Sequence, residues 1–146
     1  MLLEQTLKID IGCGRNKKVG FTGVDNDPAT QPDIVASALN LPFAESSVDE
    51  VYSAHLGEHF SPVELTQFFA EIYRVLKTNG QAILKVDTDW TVKKLLAKDP
   101  THKHRYSVEE IKKILSGFGF SQGLVKKRIY FSRPWFKNKI FVTLIK

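Results

Sequence analysis

The chain has a single cysteine, Cys13, among its 146 residues. An internal disulfide is therefore impossible, and no Cys-based zinc site can form. No apolar run approaches the ~18 residues that a membrane-spanning helix requires. The start, Met1-Leu-Leu-Glu-Gln, lacks the basic opening and the apolar stretch of a secretory signal. A reducing, cytoplasmic location is the expectation that follows. Internal repeats, low-complexity tracts and linker-like stretches are also missing, so one domain over residues 1–146 is expected. Apolar residues make up 42% and charged residues 25%, which excludes wholesale disorder.

What the chain does have is basic charge, unevenly spread. Residues 1–80 carry 6 Lys/Arg against 11 Asp/Glu, and residues 81–146 carry 15 against 5. The halves are thus −5 and +10, which sum to the net +5. Solvated faces that merely differ would give this pattern. So would an anionic acceptor or surface facing the C-terminal half. Charge alone does not choose between them.

Strand-like and helix-like segments alternate. Leu7–Ile11, Phe21–Asp25, Asp33–Ala36, Val48–Ala54 and Gln81–Asp87 read as five strands, several closed by Gly, Asn or Pro. Ser61 and Glu64 form a capping box ahead of Leu65, Phe68, Phe69, Ile72, Tyr73, Val75 and Leu76 at helical spacing. Asn79-Gly80 ends that helix, with Gly80 expected in the left-handed conformation. A second helix is predicted over Trp90–Ala97, and a third from the Ser107/Glu110 capping box to Gly117. Leu124–Phe131 and Lys139–Ile145 read as two strands joined by a seven-residue connection, Ser132–Asn138. Alternation followed by a terminal hairpin implies an α/β sheet, mostly parallel, with one antiparallel strand. In such sheets ligands bind beyond the carboxyl ends of the strands, where the strand order reverses.

Those ends carry the informative residues. After the first strand stands Asp10-Ile-Gly12-Cys-Gly14. Two closely spaced glycines let backbone turn tightly and approach a ligand. A dinucleotide fingerprint would want Gly at position 17, where Lys17 stands, and the P-loop G-K-S/T is missing. A carboxylate two residues before Gly12 repels a pyrophosphate and attracts an ammonium group. After the second strand, Asp25 offers two oxygens to the paired hydroxyls of a ribose. An ammonium and a ribose without phosphate describe S-adenosylmethionine.

From about Leu7 to Val86 the chain resembles the class I S-adenosylmethionine-dependent methyltransferases, in a small type 11-like form. Asp10–Gly14, Gly23-Val-Asp25-Asn-Asp27-Pro, Ala38–Phe43, Val48–His55 and Glu71–Gly80 carry the resemblance. It implies a Rossmann-like, mostly parallel seven-stranded sheet with an antiparallel C-terminal hairpin strand, in a three-layer α/β/α arrangement. It implies methyl transfer from S-adenosylmethionine. By the same resemblance Asp10 holds the cofactor's amino group, directly or through water, and Gly12 and Gly14 pass the methionine moiety. Asp25 binds the ribose and Asn26 packs beside the adenine. Ser37 stands where many members read the adenine amino group with Asp, and Leu39 gives the adenine apolar contact. Ser53 and His55 line the methionine end. Only ten residues separate Gly14 from Asp25, so the first helix is expected to be short or missing. Gly57 replaces a bulky apolar residue, with a gap or mobile turn expected there.

On the acceptor side, His55, Glu58 and His59 follow the fourth strand, and His55 or His59 is the candidate base. His55-Leu-Gly-Glu58-His59 fits an H-x-x-E-H metal pattern but follows a strand and contains a glycine. His102-Lys-His104 reads as a basic loop, so no metal is expected. These residues and Tyr106 are placed at the border of the acceptor cleft. The fourth strand lacks the N/D-P-P-Y/F motif of amino-directed nucleic-acid enzymes, and Cys13 is misplaced for a cytosine nucleophile. A small-molecule or saccharide-like acceptor is favoured over nucleic acid. A noncatalytic binding or regulatory module, or an RNA-directed methyltransferase, is the alternative. Few residues precede the first strand, so a homodimer or another partner is expected to cover an otherwise open acceptor site. Arg133-Pro-Trp135-Phe136 is read as a hairpin tip that folds onto the sheet edge or docks a partner.

Overall fold

The computed structural model of the chain describes residues 6–88, 101–132 and 135–146, and for 129–138 the backbone alone. Seven strands form one sheet: β1 (Lys8–Ile11), β2 (Thr22–Asp25), β3 (Ile34–Val35), β4 (Val48–Ala54), β5 (Leu76–Asp87), β6 (Gln122–Ser132) and β7 (Trp135–Ile145). Their order is β3-β2-β1-β4-β5-β7-β6. The first five strands pair in parallel, and β7 runs antiparallel to both β5 and β6. This is the expected sheet. The order reverses at β1, whose neighbours are β2 and β4, so the carboxyl ends of these strands frame the crevice where a ligand sits.

Two helices are found among the described residues, α1 (Pro62–Val75) and α2 (Val108–Leu115). Both begin in the capping boxes read from the sequence, Ser61 with Glu64 and Ser107 with Glu110. Leu65, Phe68, Phe69 and Ile72 of α1 are fully buried, as is Ile111 of α2. They pack with Ile9, Val51, Leu84 and Val142 from alternate strand positions in one core. That core lies on one face of the sheet. On the other face, residues 12–21 cross as a loop without helix, and Lys18 lies 4.1 Å above the Tyr52 ring. Ten residues cannot form a helix and both its connections, as the spacing indicated. No described helix is long and apolar enough to cross a membrane.

Several local expectations are corrected. Helix α1 stops at Val75 and β5 begins at once, with residues 77–80 looped out of register between the Val48–Leu76 and Glu50–Gln81 pairs. The left-handed residue is Asn79 (φ 64°), not Gly80. A Cβ at Gly80 would stand 2.8 Å from the Lys77 carbonyl oxygen, so glycine serves close packing there. The C-terminal connection is two residues rather than seven, because pairing runs out to Ser132 opposite Trp135. Trp135 and Phe136 therefore belong to β7. The helix predicted over Trp90–Ala97 and the residues Arg133 and Pro134 lie outside the described residues.

Candidate cofactor and acceptor site

The bend after β1 is built on Gly12 (φ 69°) and Gly14 (φ 52°), conformations that favour glycine. A Cβ at Gly12 would come within 3.0 Å of the Leu56 side chain, so a larger residue would fill the crevice. Gly12 N–H donates to the Val24 carbonyl at 2.8 Å, tying the bend to β2. At the end of β2, Asp25 accepts the Gly14 N–H on Oδ2 at 2.8 Å and the Asp27 N–H on Oδ1 at 2.9 Å. Each oxygen keeps a lone pair for a ligand hydroxyl.

A cavity of about 690 Å³ opens between these elements. One side is formed by Gly12, Asp25, Asn26, Ser37 and Leu39, with Ala36 and Ala38 adding apolar surface. The opposite side carries His55, His59 and Phe60. Sequence-predicted residues from four separate segments thus meet on one cavity. Ser37 Oγ accepts the Leu39 N–H at 3.2 Å, and Gln67 on α1 donates to the Leu39 carbonyl at 2.9 Å, so the apolar wall is held from both directions.

Three of the predicted residues stand behind the cavity rather than on its wall. Gly14 is held to Asp25 as described. Ser53 is buried and donates to the Ile11 carbonyl at 2.8 Å, bracing β1 against β4. Asp10 is 2% exposed and accepts the Lys18 N–H at 2.8 Å. Burial raises its carboxyl above the usual range, partly offset by that N–H and by the Lys18 charge, while the Asp25 charge raises it further. Asp10 therefore anchors the loop that makes the bend.

The acceptor side is assembled from three chain segments. His55 follows β4 with φ 59°, an uncommon conformation for a non-glycine residue. Its Nδ1 lies 3.5 Å from Glu58 Oε1 and 4.0 Å from Asp87 Oδ2, and its Nε2 is 2.9 Å from Lys139 Nζ. An ammonium only donates, so the His55 Nε2 carries the lone pair. The Gly57–His59 turn is a single 3-10 turn. Gly57 leaves no gap: a Cβ there would meet Val86 Cγ2 at 2.9 Å, so glycine is what lets the turn lie on β5. Lys103 N–H and His104 N–H reach the Glu58 carbonyl at 2.9 and 3.4 Å, fixing residues 101–106 beside the turn. Tyr106 is not at the cleft border. It is 2% exposed and its hydroxyl donates to the Phe60 carbonyl at 2.7 Å. Burial, with help from the Glu110 and Glu64 charges, pushes that hydroxyl's pKa well up.

Thr101, Lys103 and Glu64 complete the polar wall, and the sequence reading missed all three. Lys103 Nζ bonds both oxygens of Glu64, at 2.8 and 3.0 Å. The Glu64 capping role was legible, but its link to a residue 39 positions away was not.

A glycine bend, a carboxylate and an apolar shelf line one cavity at the reversal of a β3-β2-β1-β4-β5-β7-β6 sheet, a Rossmann-like arrangement. A family model described as "Methyltransferase domain" matches residues 9–84, just over half of the chain, and the chain belongs to that family. No curated protein matches it significantly. Among solved structures, a SAM-dependent methyltransferase from Archaeoglobus fulgidus is similar over 98% of this chain and 87% of its own, with 19% identity and TM-score 0.76. A phosphoethanolamine N-methyltransferase 2 from Haemonchus contortus, solved with phosphomonomethylethanolamine and S-adenosylhomocysteine, is similar over 99% of this chain and 49% of its own. It shows 15% identity and TM-score 0.76. A methyltransferase from Haloferax volcanii, solved with its activator Trm112, shows 16% identity and TM-score 0.69 over 99% and 84%. The family's cofactor is S-adenosylmethionine. The residues present fit it: the Gly12 approach admits the chain of the ligand, Asp25 suits its ribose, and Leu39 suits its base.

Proposed function

We propose that the protein transfers a methyl group from S-adenosylmethionine to a hydroxyl-bearing small-molecule or saccharide-like acceptor. One observation carries this reading: a single cavity joins the Asp25–Leu39 wall to a wall of His55, His59, Thr101 and Lys103. The cofactor, when bound, supplies a methyl group already activated on sulfur. The chain supplies alignment and exclusion of water. Asp25 and the glycine bend orient the adenosyl portion, and Leu39 with Ala36 flanks the base. His55 is the base, and because the Lys139 ammonium occupies its Nε2 lone pair at 2.9 Å, it takes the acceptor proton on Nε2 once the acceptor hydroxyl displaces Lys139. The polar wall, with donors on Lys103 and Thr101 and acceptors on Glu64, suits a polyhydroxylated acceptor better than an apolar one.

S-adenosylhomocysteine is expected to raise the melting temperature, by about 2.7 kcal/mol of added stability at 100 times its Kd. Asp25→Ala should remove the shift and leave a folded protein. His55→Ala should keep the shift and slow transfer of labelled methyl into an extract by roughly 10²-fold or more. Cofactor binding with no labelled product in any extract favours the noncatalytic module instead. No shift at millimolar cofactor overturns the methyl-transfer reading.

A further inference from the structure

Three chain segments converge on one buried carboxylate. Glu58, in the turn after β4, is 1% exposed. Its carboxylate accepts the Asp87 N–H at a long 3.3 Å, and His55 Nδ1 stands 3.5 Å away. A carboxylate so deeply buried and so thinly bonded is costly unless a cation compensates it. His59, its neighbour in the turn, and His102, from the 101–106 segment, each bring a ring nitrogen to it. One donor atom from each of the three residues lies within 4.8 Å of the others. The two imidazoles meet edge to face, 4.7 Å between centroids. His59 is also held in one orientation. Its Nδ1 lies 3.2 Å from the Thr101 carbonyl and 2.9 Å from the Thr101 hydroxyl. A carbonyl only accepts, which assigns the ring proton to Nδ1 and leaves the lone pair on Nε2. Histidines that bind metals are held in this way, through the nitrogen that does not ligate.

We propose that Glu58, His59 and His102 form a binding site for a divalent transition-metal ion such as Zn²⁺. Two imidazoles and one carboxylate suit that ion better than Mg²⁺ or Ca²⁺, which take oxygen donors. The site is not the helical H-x-x-E-H arrangement, since Gly57–His59 is one 3-10 turn. His55, Glu58 and Asp87 form a second close group. There the Lys139 ammonium, 2.9 Å from His55, already supplies positive charge, so the ion belongs with His59 and His102. Three protein ligands leave a coordination position for an oxygen of the acceptor, which the ion would orient and make more acidic. His59 lines the cavity and places that position on the acceptor side. This last role rests on the methyl-transfer reading, whereas metal binding itself does not.

Chelator-treated protein dialysed against micromolar Zn²⁺ is expected to take up one equivalent and to gain melting temperature with no S-adenosyl compound present. Co²⁺ in its place should give the visible bands of a low-coordinate site. His102→Ala, at a half-buried position, and Glu58→Gln should each weaken binding by at least roughly 10-fold. His104→Ala, whose Nε2 pairs with Glu110 at 3.0 Å, should bind as the parent does. No uptake by the parent, unchanged affinity in His102→Ala, or equal loss in His104→Ala overturns the site. The S-adenosylhomocysteine melting shift, read on the same samples, separates the two ideas. A cofactor shift without metal uptake ends the metal proposal alone, and metal uptake without a cofactor shift ends the methyl-transfer reading alone.

Discussion

At Asp10 the demands of folding and of binding oppose each other. Burial raises its carboxyl, so ionising it costs the folded state stability. For a raised carboxyl the cost is absent below the unfolded pKa and grows as pH rises toward the folded one. Asn in its place keeps an oxygen for the Lys18 N–H and carries no charge. Asp10→Asn is therefore expected to melt higher than the parent near neutral pH, with the gap closing below about pH 4. If the family role of Asp10 holds, the same variant binds S-adenosylhomocysteine more weakly. A lower melting temperature at neutral pH would show that the charge holds the loop through Lys18. Gly57 gives a second test at this scale. Gly57→Ala should cost about 1–3 kcal/mol by overpacking against Val86. Val86→Ala added to it should recover part of that loss in a denaturant titration. The sequence identified Gly57 as unusual but pointed to a gap. A single chain shows which residue is small, and the packed structure shows which neighbour requires it. That Asp25, Asn26, Ser37 and Leu39 share one cavity was legible because they follow strands whose ends must converge. Lys103 and Thr101 were not, since nothing local ties residues 101–106 to the turn after β4.

At the scale of elements, the capping boxes were the most legible signals. They are local, and their partners lie three residues apart. The Ser61–Glu64 box also joins two segments, because Glu64 holds Lys103 as well as the Ser61 N–H. The Lys103 bond, and then the Ser61 bonds, hold the Glu64 carboxyl down to about 2. A depressed carboxyl contributes stability above its unfolded pKa and loses it as pH falls through the folded one. The parent should therefore lose melting temperature between about pH 4.5 and pH 2, and Glu64→Gln should lose less over that window. The pair is exposed, so the difference is small. Equal slopes in acid melts would mean that the Lys103 contact contributes nothing in solution. The terminal hairpin shows the opposite kind of element. Ser132–Asn138 contains Pro134, one arginine and one lysine and has no clean alternation, yet Ser132 pairs with Trp135. Strand extension there follows from the partner strand, which a local pattern does not reveal.

At the scale of the molecule, the sheet is strongest away from the proposed cofactor site. Strands β5, β6 and β7 pair over seven and eleven positions, whereas β3 has two residues and pairs with β2 alone. Val35 at this edge is 58% exposed. Residues 36–39, which line the cavity and are proposed as the shelf for the base, hang from that short edge. They are held by the Ala36 N–H on the Asp25 carbonyl, the Asn40 N–H on the Ser37 carbonyl and the Gln67 side chain. Short edges with few buried contacts open locally at small free-energy cost. A ligand bridging β1, β2 and this shelf should therefore act mainly by closing the edge. Hydrogen exchange with and without S-adenosylhomocysteine is the measure. At 100 times its Kd the ligand can add about 2.7 kcal/mol to any opening that releases it, roughly 100-fold in rate. Slowing of that order is expected for the amides of residues 36–40. Amides in β5 and β7 that exchange through smaller openings elsewhere should keep their rates. Slowing confined to the hairpin, with residues 36–40 unchanged, would place the ligand somewhere other than the reversal of the sheet.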